Sequence, residues 1–318
     1  MKKSIIKKVC VCLATILSVT SILSLTASAK TVTLNDTLTP QVSYNSTSKQ
    51  LNYAYYTTNS STVSLLDEDV LSGSYQGNIE CYALAAFTYE GRFGSTIANH
   101  GYVDLAQNLT YDYFYPSARS FNKFINALSV GSHIRINTRD GNQHSLVLAK
   151  TNASNLNIYD ANYNNDNVIH MKTYTYSNFM SRFPRIDYVH TGVAKNSLNN
   201  KFISTSGSKR FNTNSPGITA SYNIDLTNNK ITMTVSSDLA NQPVICKLYI
   251  EGIEVTGTTT SGYTVLENDK TYSATLGAGG QKTFVYNLTS AQISVLQYIE
   301  FTFETSLGTY NDFWIRNY

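Results

Sequence analysis

The sequence predicts an α+β domain followed by an all-β sandwich domain. Helical patterns come first and a meander of strands follows them, which is an α+β order. A polar stretch from Lys195 to Pro216, too poor in apolar residues to build a core, then separates this part from a run of short strands punctuated by turn residues. The expected boundaries are a signal peptide over 1–29, a lead-in over 30–65, the α+β domain over 66–192, a linker over 193–217 and a β-sandwich domain over 218–318.

The first of these rests on Lys2, Lys3, Lys7 and Lys8 ahead of an apolar run from Val9 to Leu25 and a small-residue cleavage pattern at Ala27-Ser28-Ala29. The expectation is a secreted, extracellular or cell-surface protein. With the four lysines of the signal gone, the 24 basic residues fall to 20 against 21 acidic ones, a formal charge of −1 rather than +3. That balance leaves no electrostatic footprint for nucleic acid, and no nucleic-acid partner is expected. No apolar run after Leu25 reaches the roughly 20 residues of a membrane-spanning helix, so no span is expected in the mature chain.

Along the chain, residues 30–63 are rich in Ser, Thr, Asn and Tyr and predict a loosely ordered lead-in with one strand around Gln50 to Tyr56. Asn78 is placed to cap a helix through Cys81, Leu84, Ala85 and Phe87 that stops at Gly91 or Gly94. A second helix carries Ala118, Phe121, Phe124, Ile125 and Leu128 on one face, with Ser117 as cap and Gly131 beyond its end. Strands are predicted over 133–137, 145–149, 156–160, 168–174 and 186–189, with a short helix opened by Ser177 and broken by Pro184. Beyond the linker, strands are predicted over 219–226, 231–236, 244–250, 272–276, 283–286, 298–305 and 312–316.

Chemistry concentrates on three residues. Cys10 and Cys12 leave with the signal, so Cys81 and Cys246 remain. A thiol in the first turn of a helix lies beside unpaired backbone N–H groups that favour the thiolate, whereas the adjacent Glu80 opposes it, so an imidazole partner must dominate. His144 opens an apolar strand whose hairpin partner ends at Asp160. A pivot on Ala153 sets Asp160 opposite Leu146 and on the face of His144, while a pivot half a residue away would put them on opposite faces. In the first register Asp160 orients the imidazole, His144 takes the thiol proton, and Cys81 attacks a carbonyl to form an acyl-enzyme. The backbone N–H of Cys81 and the side chain of Gln76, with Tyr75 in reserve, are the expected oxyanion donors.

The stretches Tyr75-Gln76-Gly77-Asn78-Ile79-Glu80-Cys81-Tyr82-Ala83-Leu84-Ala85, Gly131-Ser132-His133-Ile134-Arg135 leading to His144-Ser145-Leu146-Val147-Leu148, and Tyr159-Asp160-Ala161-Asn162 resemble the papain-like cysteine peptidases and amidases. That superfamily includes the CHAP, NlpC/P60 and C39-like groups, and with Ile186-Asp187-Tyr188-Val189 the stretches look like an exported bacterial amidase-like group. The resemblance implies a papain-like domain, with Cys81 on a helix N-terminus packed on an antiparallel sheet. It also implies a cysteine peptidase or amidase that hydrolyses amide bonds of a peptide or peptidoglycan substrate. Papain carries Asn as third member, so Asn162 competes with Asp160 for that role, and the second His common in NlpC/P60 enzymes is missing here.

Other readings of the same residues stand beside this one. A Cys81 to Cys246 disulfide would remove the nucleophile. A metal bound by Cys81, His144 and Asp160 would be an unusual ligand set, and His100, His133, His170 and His190 show no zinc spacing, so no metal and no cofactor are expected. The chain also fits a surface adhesion or binding protein whose helix-bearing domain is catalytically silent and whose C-terminal domain takes a cell-wall or surface ligand. Acyl transfer to an amine would use the same triad. Trp314, the single Trp, fits core or contact.

Overall fold

The structure, a computed structural model, describes residues 31–34, 39–45, 47, 50–56, 62–64, 70–73, 81–94, 97, 102–104, 114–138, 140–161, 169–192, 204–257 and 259–316. The predicted signal peptide lies outside the described residues, as do Tyr75, Gln76, Asn78, Glu80 and Asn162.

Strands dominate. The lead-in, where a single strand around Gln50 to Tyr56 was expected, carries β1 (Thr31–Leu34), β2 (Thr39–Asn45), β3 (Gln50–Tyr56) and β4 (Thr62–Ser64), and β5 (Val70–Gly73) follows it, with β1 and β5 paired in parallel and β2-β3-β4 antiparallel. Helix α1 (Cys81–Phe93) follows, then β6 (Tyr102–Asp104) and α2 (Ala118–Asn126). The next elements are β7 (His133–Asn137), β8 (Gln143–Thr151), β9 (Asn155–Ala161), β10 (Ile169–Thr175), α3 (Tyr176–Arg182) and β11 (Arg185–His190). Six of these strands form one antiparallel sheet in the order β10-β9-β8-β7-β11-β6.

Inside the predicted linker lies β12 (Ser206–Phe211), which pairs along its whole length with β13 (Ile218–Asp225). With β14 (Lys230–Ser237) and β17 (Gly280–Asn287) they make a four-stranded sheet. A second four-stranded sheet joins β16 (Thr259–Leu276), β15 (Gln242–Thr256), β18 (Leu296–Thr305) and β19 (Gly308–Ile315). Between β17 and β18, Thr289 and Gln292 form a capping box that starts the short helix α4 (Ser290–Val295), an element the sequence reading left out.

The predicted α+β fold, a papain-like helix-and-sheet domain followed by a sandwich, is corrected by this architecture, which is mostly antiparallel β-sheet with four short described helices laid against it. The reason is compositional. Thr, Tyr, Val and Ile suit a pleated, half-buried surface, and they fill both the lead-in and the segment between α2 and α3. Polar residues that look like coil by composition then pair as strands, Ser206 to Arg210 among them.

Alternation along β15, β18 and β19 explains how the sheets assemble. Leu248, Ile250, Ile299, Phe301 and Trp314 enter one core with Ile218, Met233 and Phe284 of the other four-stranded sheet, and Tyr222 stacks on Phe301 at 3.9 Å. Tyr249, Tyr298, Phe313 and Ile315, on the opposite face, enter a second core with Phe121 and Phe124 of α2, Phe179 of α3, and Ile134, Leu146 and Ile158 of the six-stranded sheet. The sheet of β15, β18 and β19 is thus buried on both sides, and α2 and α3 lie between it and the six-stranded sheet. Phe121 and Phe179, stacked at 4.8 Å, tie α2 to α3.

One carboxylate fixes that middle layer. Ser117 caps α2, its hydroxyl accepting from the N–H groups of Arg119 and Ser120. The buried Glu251 of β15 in turn accepts from the backbone N–H of Ser117 at 3.2 Å, from the Ser117 hydroxyl, from the Ser120 hydroxyl at 2.6 Å and from the Tyr249 hydroxyl at 2.6 Å. Its negative charge sits at the positive end of the helix. Beside it, Arg119 lies over the Tyr249 ring at 4.0 Å, pairs with Asp269 through both terminal nitrogens, and donates to buried Glu300 at 2.8 Å.

Glu251→Ala leaves these donors buried without an acceptor, and a loss of about 3 kcal/mol or more in unfolding free energy is expected from urea titration. Arg210→Ala, which breaks the exposed pair with Asp238, is expected to leave the midpoint unchanged.

Candidate functional site

Cys81 is the first residue of α1, half-buried, and its thiol is free. Cys246 is also a free thiol, but it is fully buried in the core between the two four-stranded sheets, where desolvation pushes it up to about 12. Of these two described thiols, only Cys81 is accessible to a reagent.

Helix α1 covers one face of the six-stranded sheet. Tyr82 meets the ring of His133 edge-on at 5.6 Å, the Tyr89 hydroxyl donates to the carbonyl of Thr191 at 2.8 Å, and Phe93 lies against Gly131 and Gly192. Gly131 has φ +97°, and a Cβ there would stand 2.7 Å from the Arg92 side chain, so the tight approach of α1 to the start of β7 needs glycine.

Beneath α1 lies a polar cluster the sequence reading did not single out. His133 Nε2 is 2.9 Å from Ser145 Oγ, and His133 Nδ1 is 3.1 Å from His190 Nδ1, with the two imidazoles stacked. Arg135 donates to Ser145 Oγ at 2.8 Å. Desolvation holds His133 well below the usual imidazole range, with His190 and Arg135 adding to the effect, and burial lowers His190 to about 4. Tyr188, raised by burial, stands edge-on to both rings and within electrostatic reach of Cys81. Strand alternation in the hairpin of β7 and β8 was the signal that could have revealed part of this group, while the approach of His190 depends on where β11 lies. Residues 133 and 135 share a face, Arg135 pairs with Ser145, and His133 pairs with His190.

Register places His144 and Asp160 on one face of the sheet. Near the turn, Thr151 pairs with Leu156 and Lys150 with Asn157, the register that would separate them. A bulge at Ala149 inserts one residue in β8, after which Leu148 pairs with Ile158 and Val147 with Tyr159. Continued by one residue, that register sets Asp160 opposite Leu146, on the face of His144.

That face is the one covered by α2 and α3, because His144 alternates with Leu146 and Leu148, which belong to the core of Phe121 and Phe179. Cys81 belongs to the side of α1. No hydrogen bond joins Cys81 to His144 among the described residues. Asp160, fully buried, accepts from Lys172 Nζ at 3.2 Å. His144, at 7% exposure, is lowered to about 4, first by desolvation and then by the charges of Arg135, Lys172 and Arg182. Gln76 and Asn162 lie outside the described residues, and among the described residues no group of three or more His, Cys, Asp or Glu could hold a metal ion.

Because His144 is lowered to about 4 in the folded chain and titrates near 6.5 when unfolded, the unfolded chain binds the extra proton between those values. Stability is therefore complete above about pH 6.5 and falls as pH drops toward 4, by on the order of 3 kcal/mol for this group. His133 and His190 add losses of the same sign. Unfolding of His144→Gln from pH 7 to pH 4 is expected to show a shallower decline than the wild type, and parallel curves would refute the assignment.

No family model and no curated protein matches the chain. Among solved structures, the chain is similar to the crystal structure of Ly7917 at 12% identity, covering 74% of this chain and 84% of that one, with a TM-score of 0.23. It is similar to Ly7917 with the hydrolyzing product of MDP at 10% identity, over the same shares and with the same TM-score of 0.23. A β-glucosidase from Listeria innocua in complex with gluconolactone aligns at 12% identity over 35% of this chain and 16% of that one, with a TM-score of 0.16. Scores this low carry no argument about fold or activity.

Proposed function

We propose that this chain is an exported cysteine hydrolase of amide bonds, with Cys81 as nucleophile, His144 as base and Asp160 as the group that orients the imidazole. The observation that carries the reading is the contrast between the two thiols: Cys81 is free and accessible at the start of a 13-residue helix, whereas Cys246 is sealed in a core. The bulge at Ala149 supports it too, because that one extra residue restores the shared face of His144 and Asp160.

In this reaction the thiol passes its proton to His144, sulfur bonds to the carbonyl carbon, and the amine leaves with the proton returned by His144. Water then cleaves the thioester. Peptide or peptidoglycan cross-links are the proposed substrate class. The reaction requires the His144 imidazole to meet the thiol on the face of α1.

A second reading is favoured by the separation of Cys81 from His144 across the sheet and by the ion pair of Asp160 with Lys172: a surface-binding protein whose Cys81 performs no chemistry.

The two are separated by iodoacetamide labelling at mildly acidic pH, together with hydrolysis of peptide and cell-wall substrates. The hydrolase reading expects Cys81 to label faster than a free thiol, His144→Ala to slow labelling, and Cys81→Ala to lose hydrolysis by about 100-fold or more. Equal labelling rates in wild type and His144→Ala, with no hydrolysis, would overturn the hydrolase reading.

A further inference from the structure

A cleft of about 430 Å³ opens where α2, the turn between β8 and β9, and β19 converge. Asn122, Lys123 and Asn126 line it from α2, Ala153 from the turn, and Asn311 and Phe313 from β19. Its position between the middle layer and the C-terminal sheet, and its volume, are those of a small-ligand site.

Its walls carry amides whose hydrogen bonds are already partly committed. Asn122 Nδ2 donates to the carbonyl of Ala153 at 3.0 Å, and Asn126 Nδ2 donates to the carbonyl of Asn122 at 2.8 Å and to the Tyr176 hydroxyl at 2.9 Å. These bonds fix both amides, and neither Oδ1 has a partner among the described residues. Asn311 is fixed the other way round: its Oδ1 accepts from the Thr302 hydroxyl at 2.9 Å, leaving Nδ2 as a donor. Lys123 Nζ stands 3.5 Å from Glu300, so its charge is already matched while it keeps donors to spare. The carboxylate of Asp312 is turned to the other face of β19, where Tyr222 and Tyr310 hold it. Phe313, Ala127 and Ala153 supply an apolar floor.

We infer that this cleft binds a neutral polyhydroxyl ligand, a sugar ring, through Asn122, Asn126, Asn311 and Lys123. Two fixed acceptors and two kinds of donor around an apolar floor suit hydroxyls, each of which donates and accepts, on a ring whose C–H face is apolar. An anionic ligand finds no surplus cation, because Lys123 is paired with Glu300. The site is independent of Cys81 and does not rest on the hydrolase reading.

The test is calorimetric titration of the full chain with tri-N-acetylchitotriose, cellotriose and tri-galacturonate as probes. At least one neutral trisaccharide is expected to bind saturably at one site. Ala153→Trp, which fills the cleft from an exposed turn, should weaken binding at least tenfold, and so should Asn311→Leu. Cys81→Ala should bind as wild type does. No saturable binding of either neutral probe would overturn the inference. Undiminished binding in a folded Ala153→Trp protein, or equal affinity for tri-galacturonate, would do the same.

Discussion

The fold is organised by a negative charge buried at the start of α2. Glu251 belongs to β15, yet four hydrogen bonds from Ser117, Ser120 and Tyr249 converge on it, so one carboxylate ends a strand's outer face and begins a helix. A carboxylate out of water is tolerated only where such donors replace its hydration. The helix N-terminus supplies them together with a favourable dipole, and Arg119, in the same first turn, sets a cation on Glu300 and Asp269. Any other orientation of α2 on the sheet would leave these acids unmatched. Apolar contacts between Phe121, Tyr298 and Phe313 are not directional, so the polar contacts fix the angle at which they meet.

The six-stranded sheet inherits its placement from that layer, and its two faces then carry different chemistry. On the face toward α1, His133, His190, Ser145 and Arg135 satisfy one another beneath Tyr82. On the face toward α2 and α3, His144 and Asp160 stand at the margin of an apolar core, with Lys172 and Arg182 as their cations. The bulge at Ala149 decides which residues belong to which face beyond it. Without that extra residue, the alternation of β9 against β8 would turn Asp160 toward α1 and leave His144 where it is.

Local signals in the sequence were legible where a side chain states its own environment. Ser117 capping α2, the apolar face of that helix, and the strand His133 to Asn137 stand in the structure where their patterns predict them. The hidden parts are those set by distant partners. Ser206 to Arg210 has almost no apolar content, and it becomes a strand because β13 offers an edge to pair with. Nothing local to Glu251 tells that a serine cap 134 residues earlier will bind it. The pairing of His133 with His190 depends likewise on β11 lying beside β7, a topological fact with no local mark. Even the hairpin of β8 and β9, whose turn is plain, conceals its bulge, because Ala149 carries no turn chemistry.

The proposed catalysis by Cys81 and His144 turns on electrostatics as much as on distance. A thiol proton moves to an imidazole only if the resulting imidazolium is stabilised, and His144 is surrounded by Arg135, Lys172 and Arg182, each of which opposes a second positive charge. The acid that register brings to its face is Asp160, and Lys172 already holds one of its oxygens. Desolvation is the first effect that opposes a proton on His144, and the three cations add to it. Drawing Lys172 away from Asp160 both frees the carboxylate and removes a repelling charge, so the two effects add. Opening that ion pair would ease one of the barriers to a proton on His144, while the desolvation that lowers it most would remain.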